Sequence, residues 1–145
     1  RELEALEAEP FKSDGTPEEQ LRHNSVLVAR RNRCRRILAR AGEQKTQPTC
    51  PVELHVARLG NIAFATNPFE LYMDYMHRIQ GRSPFEQTFV IQLTGGSTDT
   101  AGYLATERGV WGGGYSASIY CNQVSPKGGQ ELVEETLKRL ARFAP

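Results

Sequence analysis

The feature that most constrains this chain is a close succession of short apolar runs between Pro51 and Tyr120, punctuated by Gly, Asn and Pro. Val52, Leu54 and Val56 alternate with Glu53, His55 and Ala57, the two-residue period of a half-buried strand. Leu59-Gly60-Asn61 is turn chemistry, and Ile62 to Thr66 reads as a second strand folding back on the first as a hairpin. Asn67-Pro68 then opens a helix that carries Tyr72, Tyr75, Met76 and Ile79 on one face and stops at Gln80-Gly81. Phe89 to Leu93 is a buried strand. Thr94 to Tyr120 is a long stretch rich in Gly, Ser and Thr, the kind of segment that carries function inside a compact domain.

Helices flank this region. Thr16-Pro17-Glu18-Glu19 combines a capping residue, a proline at the first helical position and a capping-box glutamate. Leu27, Cys34, Leu38 and Ala41 follow on one face, and Gly42 stops the run. Ser125-Pro126 starts the last helix, with Val133, Leu137 and Leu140 on its apolar face and Glu134–Lys138 and Glu135–Arg139 as supporting pairs. Residues 1–15 read as a frayed or linking end, because Pro10 and Ser13-Asp14-Gly15 break the acidic helix before them. The expectation is an α/β fold, a layered mixed sheet with flanking helices, over a single segment 1–145 that is folded from residue 16 onward.

Composition adds boundaries. A chain of 145 residues is long enough to bury a core, and 39% hydrophobic with 24% charged residues is ordinary for a globular protein. A net charge of +1 gives no overall pull toward nucleic acid or anionic membrane, so no nucleic-acid partner and no membrane span are expected. The concentration of Arg30, Arg31, Arg33, Arg35, Arg36 and Arg40 on one helix reads as a solvated or covered face in the absence of interleaved aromatics, with a phosphate- or nucleic-acid-binding helix as the lesser alternative. Cys34, Cys50 and Cys121 lack Cys-x-x-Cys spacing and read as free thiols.

Chemistry-bearing residues are few. Glu70 stands at the third position of the expected helix, where a glutamate returns to the Asn67 cap; that spacing favours capping, although a strand-to-helix junction is also where catalytic carboxylates sit. Tyr103 and Tyr115 lie in glycine-flanked loops, where tyrosine is more often a packing residue than a functional one. His23, His55 and His77 are scattered without metal-ligand spacing, and Ser116 and Ser118 do not form a Gly-x-Ser-x-Gly elbow. Gly112-Gly113-Gly114 lacks the terminal Lys-Ser/Thr of a phosphate loop.

The order of Leu59-Gly60-Asn61-Ile62-Ala63, Pro68-Phe69-Glu70, Arg82-Ser83-Pro84-Phe85, Gly102-Tyr103-Leu104-Ala105-Thr106, Gly113-Gly114-Tyr115 and Gly129-x-x-Leu132-Val133-Glu134 resembles the neutral/alkaline ceramidase family. The resemblance runs from Val52 to Leu140 and is to the later part of the zinc-bearing catalytic domain, especially that of bacterial ceramidase-like relatives. It implies that the chain is the C-terminal portion of a larger catalytic domain, an amide hydrolase that works through a zinc-activated water. It places zinc ligands at Glu70 and Tyr103 and a carbonyl-polarising phenol at Tyr115, with two histidine ligands supplied from upstream. The chain differs from that family in having Phe69 where a glycine is usual and Ser116 where an acidic residue often follows the second tyrosine. The partners so implied are the upstream portion of the same protein and a small-molecule or lipid amide. Edge strands left bare would be open to pairing with another copy, giving a homo-oligomer. A non-catalytic ligand-binding or assembly module with the same fold is the alternative.

Overall fold

Gly60, at φ +59°, lets the chain reverse between β1 (Val56–Leu59) and β2 (Ile62–Thr66), which pair antiparallel with Leu59 opposite Ile62. The computed structural model describes residues 1–95 and 102–144. The first strand starts later than its alternation suggests. Ahead of Val56 only His55 reaches the partner, its carbonyl accepting from Thr66 N (2.9 Å) and its N–H donating to Thr66 Oγ1 (3.0 Å), because β2 ends there. β2 then pairs parallel with β4 (Gln87–Ile91), giving a three-stranded mixed sheet of order β1-β2-β4.

Between β2 and β4 the expected helix is shorter. Asn67 does not cap it: its side-chain oxygen accepts from Phe69 N (3.1 Å), a tight local turn. Glu70 and Leu71 form β3, and α3 runs from Met73 to Gln80 with Tyr72 as its uncapped start. The capping box at Glu70 is therefore absent. β3 pairs parallel with β5 (Tyr103–Leu104) in a second, two-stranded sheet. The residues after β4 stitch the two sheets together. Gln92 imitates a strand, its amide accepting from Leu71 N (2.8 Å) and donating to Leu71 O (3.2 Å). Leu93 N and Thr94 N donate to Phe69 O and Asn67 O.

After β5 come α4 (Glu107–Gly112), a 3-10 turn at Tyr115–Ala117 and α5 (Pro126–Ala141), the last capped by Ser125. One core holds this region together: Leu54, Ala63, Phe69, Leu71, Tyr75, Ile79, Phe85, Leu104, Leu132, Val133 and Leu140. α3 and α5 thus cover the sheet face that carries Ala63 and Ala65. The opposite face presents Phe64 stacked on Phe89 (5.3 Å between ring centroids), with Ile91 exposed on the same side.

One of the two expected α5 pairs differs. Arg139 does bond Glu135 (2.9 Å), but Glu134 turns to α3's end and takes both guanidinium nitrogens of Arg82 (2.7 and 2.8 Å). This bidentate bond holds the Glu134 carboxyl down at about 2. A lowered carboxyl contributes fully above its usual 4.5 and loses its contribution as pH falls toward 2; the pair is exposed, so the stability involved is small. An NMR titration is expected to show Glu134 protonating near 2 and, with Arg82→Gln, closer to 4.5; equal midpoints would dispose of the pair.

Where one continuous folded segment was expected, the chain divides into two compact units, Arg1–Thr49 and Cys50–Pro145. The first is a helical pair, and its start is not frayed. α1 (Glu2–Ala8) buries Leu6 against Leu27 and Cys34 of α2 (Pro17–Glu43). Arg31 of α2 explains why a seven-residue helix holds: its guanidinium donates to the α1 carbonyls of Leu6, Glu7 and Glu9 and lies over the Phe11 ring. Asn24 pins the connecting segment through two bonds with the Lys12 backbone. Thr16 and Glu19 form the capping box the sequence predicts. Among the described residues no helix is long and apolar enough to cross a membrane.

Candidate functional site

Parallel pairing of β3 with β5 sets Glu70 directly opposite Tyr103. Facing residues of neighbouring strands project to the same side of a sheet, so the carboxylate and the phenol meet. The register is fixed on both sides of the pair: Glu70 N donates to Gly102 O (3.0 Å) and Tyr72 N to Leu104 O (3.2 Å). Gly102 has φ +51°, and a Cβ there would stand 2.6 Å from Cys121 O, so only glycine lets β5 lie against residue 121. Tyr103 N in turn donates to Cys121 O (3.0 Å).

Tyr115 joins from the other side. Gly113 and Gly114 adopt φ +74° and +99°, left-handed angles that swing the chain into the 3-10 turn. The Tyr115 ring meets that of Tyr103 edge to face, 6.1 Å between centroids and 81° between planes. Tyr115 remains 68% exposed, whereas Glu70 and Tyr103 are half-buried. The three side chains singled out in the sequence are therefore brought together, with Tyr103 in the middle.

Sequence reasoning missed the residues that hold this arrangement. Asn122 accepts from Ala105 N (2.8 Å) and donates to the carbonyls of Ser116 (2.6 Å) and Ser118 (3.0 Å), clamping the turn onto β5. Tyr72 Oη and Ser116 Oγ share a hydrogen bond (2.8 Å). Thr106 caps α4 at Gly109 N and donates to Asp74 of α3. None of these belongs to a recognisable motif. One backbone irregularity marks the neighbourhood: Leu93, bonded to Phe69 O beside Glu70, has φ +55°, a conformation that costs a non-glycine residue about 1–2 kcal/mol. Residues 96–101 of the glycine-rich stretch lie outside the described residues.

The electrostatics follow from the pairing. The hydrogen bond to the Glu70 carboxylate, and then its charge, hold the Tyr103 phenol above its ordinary 10. A raised phenol stays protonated through neutral pH, and the bond is lost only as pH climbs through that raised value. Glu70→Gln is expected to bring the Tyr103 midpoint back toward 10 in an NMR titration of the ring carbons. An unchanged midpoint would mean the two groups do not share a proton.

Fit to a metal can be judged from the donors. Glu70 and Tyr103 supply a carboxylate and a phenol oxygen side by side, the donor types that zinc accepts, and they amount to part of a tetrahedral set. Of the histidines, His23 contacts Glu9 (3.5 Å), His55 contacts Glu53 (2.7 Å) and His77 is exposed on α3. Among the described residues no group of three or more His, Cys, Asp or Glu side chains is placed to hold a metal. Cys34, Cys50 and Cys121 are free thiols.

The fold and the site together define an α/β unit with a carboxylate–phenol pair on facing parallel strands. No protein-family profile, no characterised protein and no solved structure matches the chain.

Proposed function

We infer that the chain is the C-terminal part of a zinc-dependent amide hydrolase of the ceramidase-like kind. One observation carries the reading: Glu70, Tyr103 and Tyr115, remote in sequence, share a single surface with the carboxylate bonded to the middle phenol. Glu70 and Tyr103 would hold the metal through their oxygens, with the remaining ligands coming from outside this chain. Bound zinc would acidify a water molecule and polarise the amide carbonyl. Such a cation would outweigh the upward pressure of Glu70 on the Tyr103 phenol, which suits a phenol serving as an oxygen ligand. Tyr115, exposed at the edge of the pair, can donate its hydroxyl proton in a hydrogen bond to the carbonyl oxygen as negative charge develops there.

The bare sheet face favours the same reading. Parallel pairing is commoner on covered sheets, and among the described residues of the unit Cys50–Pro145 the side bearing Phe64, Phe89 and Ile91 leaves Phe89 and Ile91 exposed. An upstream portion of the same domain would supply a cover.

The test is an amide-hydrolysis assay, with zinc analysis, on the protein that includes residues upstream of Arg1. Zinc-dependent cleavage of an acyl amide supports the reading. The present chain alone is expected to bind zinc weakly and to turn nothing over. Tight zinc at one equivalent in this chain alone would count against the division of ligands.

A further inference from the structure

We propose that the arginine row of α2 at Arg30, Arg33, Arg36 and Arg40 is a docking surface for the phosphate backbone of a nucleic-acid duplex. This rests on the helical unit by itself and is independent of the hydrolase reading.

The helical pair sorts the arginines into two sets. Arg31 and Arg35 belong to α1: the first caps its carbonyls and the second bonds Glu7 (2.8 Å). At 3.6 residues per turn, Arg30, Arg33, Arg36 and Arg40 fall within about 120° of one another, on the side away from Arg31. Arg30, Arg33 and Arg36 are exposed and form no ion pair among the described residues. Arg22, two turns earlier, and Arg30 both line a shallow depression with Glu9 and Glu19, and the row runs on from Arg30 away from it.

Such a row is costly. Like charges three and four residues apart each destabilise a helix by about 0.2–0.5 kcal/mol. Elsewhere this chain sets arginine against glutamate, as in Arg82–Glu134 and Arg139–Glu135. Among the described residues no acid of the helical pair forms an ion pair with Arg30, Arg33 or Arg36: Glu7 meets Arg35, Glu19 the cap and Glu9 His23. Charge complementarity therefore points to an anionic partner, and the row is arginine throughout, the side chain whose planar fork matches phosphate oxygens. A membrane surface fits less well. Helices that lie in a bilayer interface need a broad apolar face with aromatic or leucine anchors, and the large apolar neighbours along this row are Val26, exposed, and Ile37, half-buried, neither of them an aromatic or a leucine.

Four phosphate contacts imply a salt slope near −3.6, so raising salt fourfold weakens binding by about 150-fold. The experiment is a titration of the whole chain with a fluorescent duplex across 50–200 mM salt, alongside Arg30→Gln/Arg33→Gln/Arg36→Gln and Arg35→Gln variants. The expected result is a slope of roughly −3 to −4, cut to about −1 in the triple variant and unchanged by Arg35→Gln. Single Arg33→Gln, expected to remove about one unit of slope, carries the test should the triple variant lose helicity. No binding at 50 mM salt overturns the proposal, as does binding that is indifferent to the triple variant. Triple-sensitive binding to phosphatidylserine vesicles without duplex binding also overturns it, making the row a membrane contact.

Discussion

Glu70→Ala is expected to lower amide hydrolysis by at least two orders of magnitude in the protein carrying the upstream residues, without unfolding it. Loss of groups that merely orient a metal ligand costs on the order of 10–100-fold, so loss of a ligand costs more. The fold survives because Glu70 contributes to it chiefly through its backbone: its N–H bonds Gly102 O, and its side chain is half-buried outside the core. Circular dichroism and thermal melting check that survival, and initial rates with a chromogenic acyl amide check the chemistry. An enzyme that keeps its rate without the carboxylate does not use it.

The second large effect falls on stability. Gly129→Ala is expected to destabilise the second unit by about 2–4 kcal/mol, lowering its melting temperature by more than about 10 °C. The added Cβ would stand 2.3 Å from Tyr75 Oη and 2.4 Å from Tyr75 Cζ. Tyr75 is 1% exposed and cannot swing aside. Its hydroxyl donates to Ala105 O or Pro126 O, both 3.1 Å away, so shifting it also leaves inner carbonyls short of a partner. The usual gain of alanine over glycine in a helix, at most about 1 kcal/mol, is too small to compensate. Gly42→Ala in α2 is the matched control: nothing lies within 4 Å of its Cβ position, and it is expected to be neutral or mildly stabilising. Equal melting temperatures for Gly129→Ala and the unmodified chain would show that the α3–α5 contact is looser than its geometry implies.

What the sequence displayed was local. The hairpin is written in alternation around Gly60-Asn61, and the starts of α2 and α5 in Thr16-Pro17 and Ser125-Pro126. Distant bonds were hidden. α1 is secured by Arg31, which closes its end from the middle of another helix. Residues 70–71 are drawn out of the expected helix by pairing with Tyr103 and Leu104 and by the Gln92 side chain, partners that no local pattern announces. The site shows the same division. Spacing alone favoured Glu70 as a capping residue, and only resemblance put Tyr103 beside it. Their parallel register is a tertiary fact, as is the clamp made by Asn122. The three glycines before Tyr115 were legible as permissive backbone, but not as the hinge that turns its ring onto Tyr103.

The proposed function turns on the Glu70 carboxylate and the Tyr103 phenol serving as one oxygen pair toward zinc. Zinc affinity of the protein with its upstream residues, measured by competition with a chelator for Glu70→Gln, Tyr103→Phe and the two combined, bears on it most directly. The account predicts that each single change weakens zinc on the order of a hundredfold or more, and that the double change costs less than the two losses multiplied. Zinc held as tightly by Tyr103→Phe as by the unmodified protein would contradict it.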